Sequence, residues 1–334
     1  GIVKGRFIIL ILAILLLVPS AIGYFNTRIN YDVLTYLPEE IETMKGQQIL
    51  LDEFGVGSFS MYMVQGMDEK DTSKLKAEIE QIDHVKDVLW YDSFMDLSIP
   101  MEMLPTDMYE AFNNKDTDTT MMFIMYDTGI SADETMEAVA RIRKVSSENC
   151  FLSGMSAIVT DTRDLSNAET PVYVAIAVVL SVIVLSVTMD SFLIPLFFLL
   201  SIGMSIIYNL GTNIFVGEIS YITQALTAVL QLGVTMDYSI FLWHSYSEQK
   251  LAHENKNDAM AEAISATFTS VVASSTTTVA GFVALCFMSF TLGLDLGLVM
   301  AKGVLLGVLG CVTVLPSLIL VLDRPLQRTK HRSI

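Results

Sequence analysis

Six stretches of this chain stay apolar for about as long as a helix needs to cross the ~30 Å hydrocarbon core of a bilayer. They run roughly Phe7–Phe25, Pro171–Met189, Phe192–Leu210, Tyr221–His244, Thr267–Phe290 and Leu296–Leu322. Lipid offers no partner to a backbone N–H or C=O, so each stretch reads as a helix that satisfies its own. The first carries Lys4 and Arg6 on its flank, as a signal peptide would. It is too long for the apolar part of one, and no small-residue cleavage pattern follows, so it is expected to stay. Pro171 and Pro195 are expected in first helical turns, where a missing N–H costs nothing.

Between the first and second stretches lies a polar insert. From Asn26 to Glu169 it holds 28 Asp and Glu against 11 Lys and Arg, a net of −17, which equals the formal charge of the whole chain. Such a surface does not suit nucleic acid, whose phosphates call for Lys and Arg. It suits a solvated domain held off an anionic membrane surface. Lys4, Arg6, Lys250, Lys256, Arg324, Arg328, Lys330 and Arg332 all fall on one side of the membrane, read as cytoplasmic. The loops Gly211–Ser220 and Thr291–Asp295 hold no Lys or Arg. Both termini are therefore expected inside a plasma or inner membrane, with the insert outside.

The expected organisation is a first span (1–25), an extracytoplasmic α/β domain (26–169), a five-helix membrane block (170–323) and a basic cytoplasmic tail (324–334). Gly1 at one end and the basic tail at the other suggest a piece of a longer chain.

Within the insert, Ser58–Gln65 (SFSMYMVQ), Val85–Tyr91 and Thr119–Asp127 (TTMMFIMYD) read as strands, and a short one begins at Phe151. Asp71–Asp83 is spaced as a helix through Leu75, Ile79 and Ile82. Ser131–Ser147 is helical as well, with Met136, Val139, Ala140 and Ile142 as its apolar stripe and Ser131 as its cap. Strand–helix–strand given twice predicts a split βαβ, ferredoxin-like layer, with Met95–Asn114 as the connector. Met121–Met125 is expected in the strand core. The fold class is thus an α-helical polytopic membrane protein of six spans with an inserted α+β ferredoxin-like domain. Ser156–Glu169 is expected to lead as a helix straight into the second span.

Two charges, Asp237 and Lys302, fall inside spans. Asp237, in Gly233–Phe241 (GVTMDYSIF), lies about two thirds of the way along the fourth. A carboxylate at such depth costs on the order of 2.5–3.5 kcal/mol and marks a functional position by default. Burial disfavours the ionised form, so the group can take up and lose a proton. Tyr238 is placed to donate a hydrogen bond or pass a proton on. Ser270, Ser274, Thr277 and Gly281 share a face of the fifth span, where hydroxyls either meet a neighbour or bond back to their own helix. Lys302 lies in the sixth span, seven residues after Asp295 on the same face. It is expected to reach outward to Asp295, or else to join a secondary ion path with it. Gly303, Gly307, Gly310 and Cys311 form a small-residue packing stripe.

No Walker A sequence, HExxH, CxxC or GxSxG occurs, and the four histidines lack metal-ligand spacing. The chain is read as no enzyme, with no metal and no cofactor. The single Cys150 of the insert allows no intrachain disulfide framework there.

One span, a large α/β insert and five further spans resemble one half, the N-terminal one, of a transporter of the resistance-nodulation-division (RND) superfamily. Gly233–Tyr246 (GVTMDYSIFLWHSY) is similar to the Asp-Tyr signature of its MmpL branch. The cytoplasmic helix expected at Asn257–Ala266, the Ser/Thr-rich fifth span and Leu315-Pro316 fit that branch too. The resemblance implies export of lipids, drugs or other amphiphiles driven by proton influx. It implies a proton relay of Asp237, Tyr238 and Ser274, and a second half in the same longer chain or in a partner subunit. A SecDF-like protein-export factor and a non-transporting sterol- or lipid-sensing protein are the alternatives.

Overall fold

The computed structural model describes residues 1–93 and 106–323. They divide into a unit of residues 31–165 and a unit made of residues 1–30 with 166 onward. Most of the connector expected at Met95–Asn114, and the tail from 324, lie outside the described residues.

The chain opens with α1 (Arg6–Asn26) and the short strand β1 (Arg28–Asn30). The α/β unit follows, with α2 (Glu42–Phe54), β2 (Ser58–Gln65), α3 (Glu69–Glu80), β3 (Val85–Leu89), α4 (Thr106–Phe112), β4 (Asn113–Asn114), β5 (Thr119–Tyr126), α5 (Asp133–Val145) and β6 (Cys150–Ser153). α2 carries no counterpart among the expected elements. It stops at Gly55, whose φ of 61° is the left-handed cap that glycine adopts without strain.

The sheet runs β3-β5-β2-β6 with antiparallel neighbours, and β4 adds to β5. With α3 after β2 and α5 after β5, this is the split βαβ order that the sequence predicts. Period-two burial sets the register. Tyr62 and Val64 of β2, and Met122, Ile124 and Tyr126 of β5, turn to one face. They pack on Leu75 and Ile79 of α3 and on Ala138, Val139 and Ile142 of α5. Met122 is core, while Met121 and Met125 face away. Trp90 closes the layer, and its Nε1 donates to Thr120 Oγ1 at 2.8 Å. Two details differ from expectation. α5 is capped at Ala132 without a side-chain bond, not at Ser131, and Ala138 rather than Ala140 turns inward. Ala138 completes the i, i+3, i+4, i+7 face of Thr135, Val139 and Ile142, whereas Ala140 lies about 100° further round the helix than Val139.

The membrane unit holds α6 (Met155–Thr188), α7 (Leu193–Gly211), a 3₁₀ turn (Thr212–Phe215), β7 (Glu218–Ser220), α8 (Tyr221–Ala252), α9 (Lys256–Leu285), α10 (Leu292–Leu309), a π-helical turn (Gly310–Val314) and α11 (Leu315–Val321). Among the described residues six helical stretches are long and apolar enough to cross a membrane, with Leu292–Val321 counted as one. Residues 28–30 belong to this unit because β1 pairs in parallel with β7, Arg28 opposite Glu218 and Asn30 opposite Ser220. Asn30 Nδ2 adds a 2.5 Å bond to Glu218 Oε1.

Several helices outrun their apolar stretches. α8 continues past His244 to Ala252, and no separate helix forms at Asn257–Ala266, which is the start of α9. Packing of Tyr246 into the core carries α8 on, and packing of Ala259, Met260 and Ala263 starts α9 early. Pro171 lies inside α6, not in its first turn, because the polar run from Met155 is already helical. Pro195 is in the first turn of α7, as expected. The sixth span is interrupted by the π turn at Gly310–Val314, an irregularity that often accompanies a functional position. α1 lies so close to α7 that a Cβ on Gly23 would collide with the Gly211 carbonyl. The core itself gathers Phe198, Tyr238, Trp243, Tyr246, Met260, Val304 and Leu315.

Candidate functional site

Asp237 is sixteen residues into the 32-residue helix α8, about 24 Å along its axis. Its residue is exposed, on a stripe of α8 with Leu230, Gly233 and Phe241, all open as well. Among the described residues no hydrogen bond or ion pair engages its carboxylate. Tyr238 is 3% exposed and packed into the core. The two members of the Asp-Tyr pair therefore leave α8 in different directions. Ser274 is exposed on the neighbouring helix α9. The structure brings no two of Asp237, Tyr238 and Ser274 into hydrogen-bond contact. Around Ser274 the hydroxyls bond back to their own helix: Thr276 and Ser275 donate to the Val272 carbonyl at 2.7 and 3.0 Å, and Thr277 and Thr278 to that of Ser274 at 2.7 and 3.1 Å.

The second pair of charges is also kept apart. Among the described residues no ion pair joins Lys302 to Asp295. Lys302 Nζ donates instead to Asn213 Oδ1 at 2.5 Å. Asp295, 9% exposed, accepts from the Ser220 N–H at 2.8 Å and from Thr223 Oγ1 at 2.7 Å, and so fastens the start of α8 to α10. An anion there also meets the positive end of α8.

Sequence reasoning passed over two buried polar rows of the bundle. Ser201, Ser205, Asn209 and Asn213 recur every four residues on α7 and the turn after it, each no more than 2% exposed. Thr223, Thr227, Gln231, Thr235 and Ser239 do the same on α8. Four-residue spacing stacks side chains on one helix face, so each row was detectable as a period. The rows meet through Asn209 Nδ2, which donates to Gln231 Oε1 at 3.0 Å and to the Val299 carbonyl at 3.1 Å. Gln231 Nε2 donates to the Gly303 carbonyl at 3.0 Å. Ser205 and Ser201 reach the carbonyls of Leu306 and Gly310 at 3.2 and 3.3 Å. The glycines of α10 make this fit: a Cβ on Gly303 would lie 2.5 Å from Asn209 Nδ2, and one on Gly307 would strike the Thr235 methyl.

The chain is similar to several known proteins. ActII-3 of Streptomyces coelicolor is 28% identical over 200 residues, 58% of this chain and 28% of its own. MJ1562, a membrane protein by name, from Methanocaldococcus jannaschii, is 23% identical over 95% of this chain and 91% of its own. MmpL12 of Mycobacterium tuberculosis, which carries the name of a transport protein, is 24% identical over 65% of this chain and 20% of its own. The chain thus spans about a quarter of the Streptomyces relative and nearly all of the Methanocaldococcus one. Among solved structures, SecDF from Thermus thermophilus, a translocon-associated membrane protein, superposes with a TM-score of 0.52 at 14% identity, over 97% of this chain and 38% of that one. At that identity the likeness is one of fold. The MMPL family matches residues 37–333, through the α/β unit and the five helices that follow it, and this multi-pass membrane chain belongs to that family.

Proposed function

We propose that the chain is one half of a transporter that exports lipids, drugs or other amphiphiles in exchange for protons, with Asp237 as the proton-binding group. The observation that carries this reading is an unpartnered carboxylate on an exposed face deep in a spanning helix. Facing lipid, that charge would be costly. A second six-span half, in a longer chain or a partner subunit, would cover the face and bring the carboxylate out of lipid. Ser274 lies exposed on the adjacent helix and Tyr238 behind the carboxylate, in the core. Membership of the MMPL family and the name of MmpL12 support transport as the activity. In this reading both termini are cytoplasmic and residues 26–169 are extracytoplasmic.

The test is Asp237→Asn in proteoliposomes carrying an imposed proton gradient, with a fluorescent phospholipid and a lipophilic cation as probes. Loss of probe export, with normal membrane insertion, supports the proton role. Export at the wild-type rate ends it. Gradient-independent lipid binding with no export would point to a sensing protein instead.

A further inference from the structure

Asp295 and Lys302 are two turns of α10 apart, about 10 Å of rise, and each is held by neutral groups. Only Oδ2 of Asp295 is engaged, and its Oδ1 is buried without a partner. An ammonium has donors alone, so the Asn213 oxygen must face Lys302, which fixes the orientation of that amide. Asn213 Nδ2 is then left buried without a partner. One turn earlier Asn209 spends its Nδ2 on Gln231 and on the carbonyl of Val299, and its Oδ1 is buried and unpartnered too. Val299 in turn is one helical turn from Asp295. An acceptor, a donor and an acceptor thus line successive levels of one buried column, beside an ammonium with two further N–H groups. Buried polar atoms in such number call for a bridging partner, and water supplies both donors and acceptors.

The geometry points to a water-bridged proton-exchange pair in which Lys302 passes a proton, past Asn213, to Asp295 Oδ1. In the transfer an N–H bond of Lys302 breaks and an O–H bond forms at Asp295. Each intervening water accepts one proton and releases another, so it is unchanged. The pair goes from two separated charges to two neutral groups, which low-dielectric surroundings favour over unneutralised charge. The bonds from the Ser220 N–H and Thr223 hold the carboxylate form in place when the proton returns.

The other groups facing this column are few. Glu218 on β7 is paired with Arg28 at 3.2 Å. α7 and α8 present neutral amides and hydroxyls. α9 brings Cys286 up against Gly297, and α1 brings Tyr24, whose hydroxyl accepts from Gln224 Nε2 at 3.3 Å. This pair lies on the α7 side of α8 and does not depend on Asp237.

The test is infrared spectroscopy of the full chain in lipid nanodiscs, through pH titration in water and deuterium oxide. A carboxylic-acid C=O stretch present in the wild type and lost in Asp295→Asn assigns a protonated Asp295. The same stretch is expected to vanish in Lys302→Arg, which stays charged and cannot release its proton. Where Asp295→Asn does not fold, ¹³C-labelled aspartate with Lys302→Arg gives the assignment instead. Asp237→Asn is expected to leave this band in place, so the two readings fail separately. Wild-type spectra without an Asp295 acid stretch would make that carboxylate a static latch on α8. Persistence of the stretch in Lys302→Arg would overturn the pairing.

Discussion

Asp237 and Tyr238 are consecutive residues that leave α8 on different sides, the carboxylate on the exposed face and the ring 3% exposed in the core. One residue turns an α-helix by about 100°, so neighbours cannot both face the same partner. Whatever covers the exposed face therefore meets the acid, and the phenol acts from behind it.

Because among the described residues no group engages the Asp237 carboxylate, its removal is expected to cost the fold nothing. Asp237→Leu should unfold within about 2 °C of the wild type in thermal scans, since surface changes away from packed features stay within about 0.5 kcal/mol. The same variant should lose proton-driven export more than about tenfold, the equivalent of 1.4 kcal/mol in barrier. A large drop in melting temperature would reveal a partner within the chain.

Tyr238 behaves in the opposite way. Tyr238→Ala empties a core position and should destabilise by about 3–5 kcal/mol. Tyr238→Phe keeps the volume and should melt close to the wild type. Transport by the phenylalanine variant then reports on the hydroxyl alone, free of any folding defect.

Gly307 lies against Thr235, so Gly307→Ala is expected to overpack the α8–α10 contact by about 1–3 kcal/mol. Thr235→Ser removes the methyl in the way. The double variant should recover at least half of the loss, and a double-mutant cycle measures the coupling. Additive effects would place the strain elsewhere.

Burial pushes the Tyr126 phenol up to about 12, with the hydrogen bond to Ser60 pulling it partly back. The folded value lies above the unfolded one near 10, so the folded state favours the neutral phenol. That contribution is whole below about pH 10 and is lost as pH rises towards 12, on the order of 2–3 kcal/mol. Urea unfolding followed by Trp90 fluorescence should show a stability loss across that window, reduced in Tyr126→Phe. Tyr62 and Tyr91 are also raised by burial and add to the same slope.

The sheet was legible because SFSMYMVQ and TTMMFIMY alternate, and alternation names both the strand and its buried face. The spans were legible because lipid tolerates little but apolar helix. Helix ends were not. Nothing in hydropathy marks where α8 stops once its polar turns lie past the membrane, and packing of Met260 decides that α9 starts early. Asp237 stood out as a lone acid in an apolar run. Its exposure did not, because a single stripe of α8 is open and the rest is packed. The partner of Lys302 was missed for a related reason: reach along one helix suggested Asp295, whereas Asn213, 89 positions away, comes close only through the fold.

The three-residue ladder between β1 and β7 has a consequence for biosynthesis. Its paired residues, Arg28 with Glu218 and Asn30 with Ser220, are 190 positions apart. At 5–20 residues per second, the strand after the first helix waits roughly 10–40 s for its mate to leave the ribosome. During that interval the first helix also lacks α7, its tightest neighbour. The amino-terminal segment must therefore hold its place by apolar length alone, and the ladder fastens it only once β7, just before α8, has emerged.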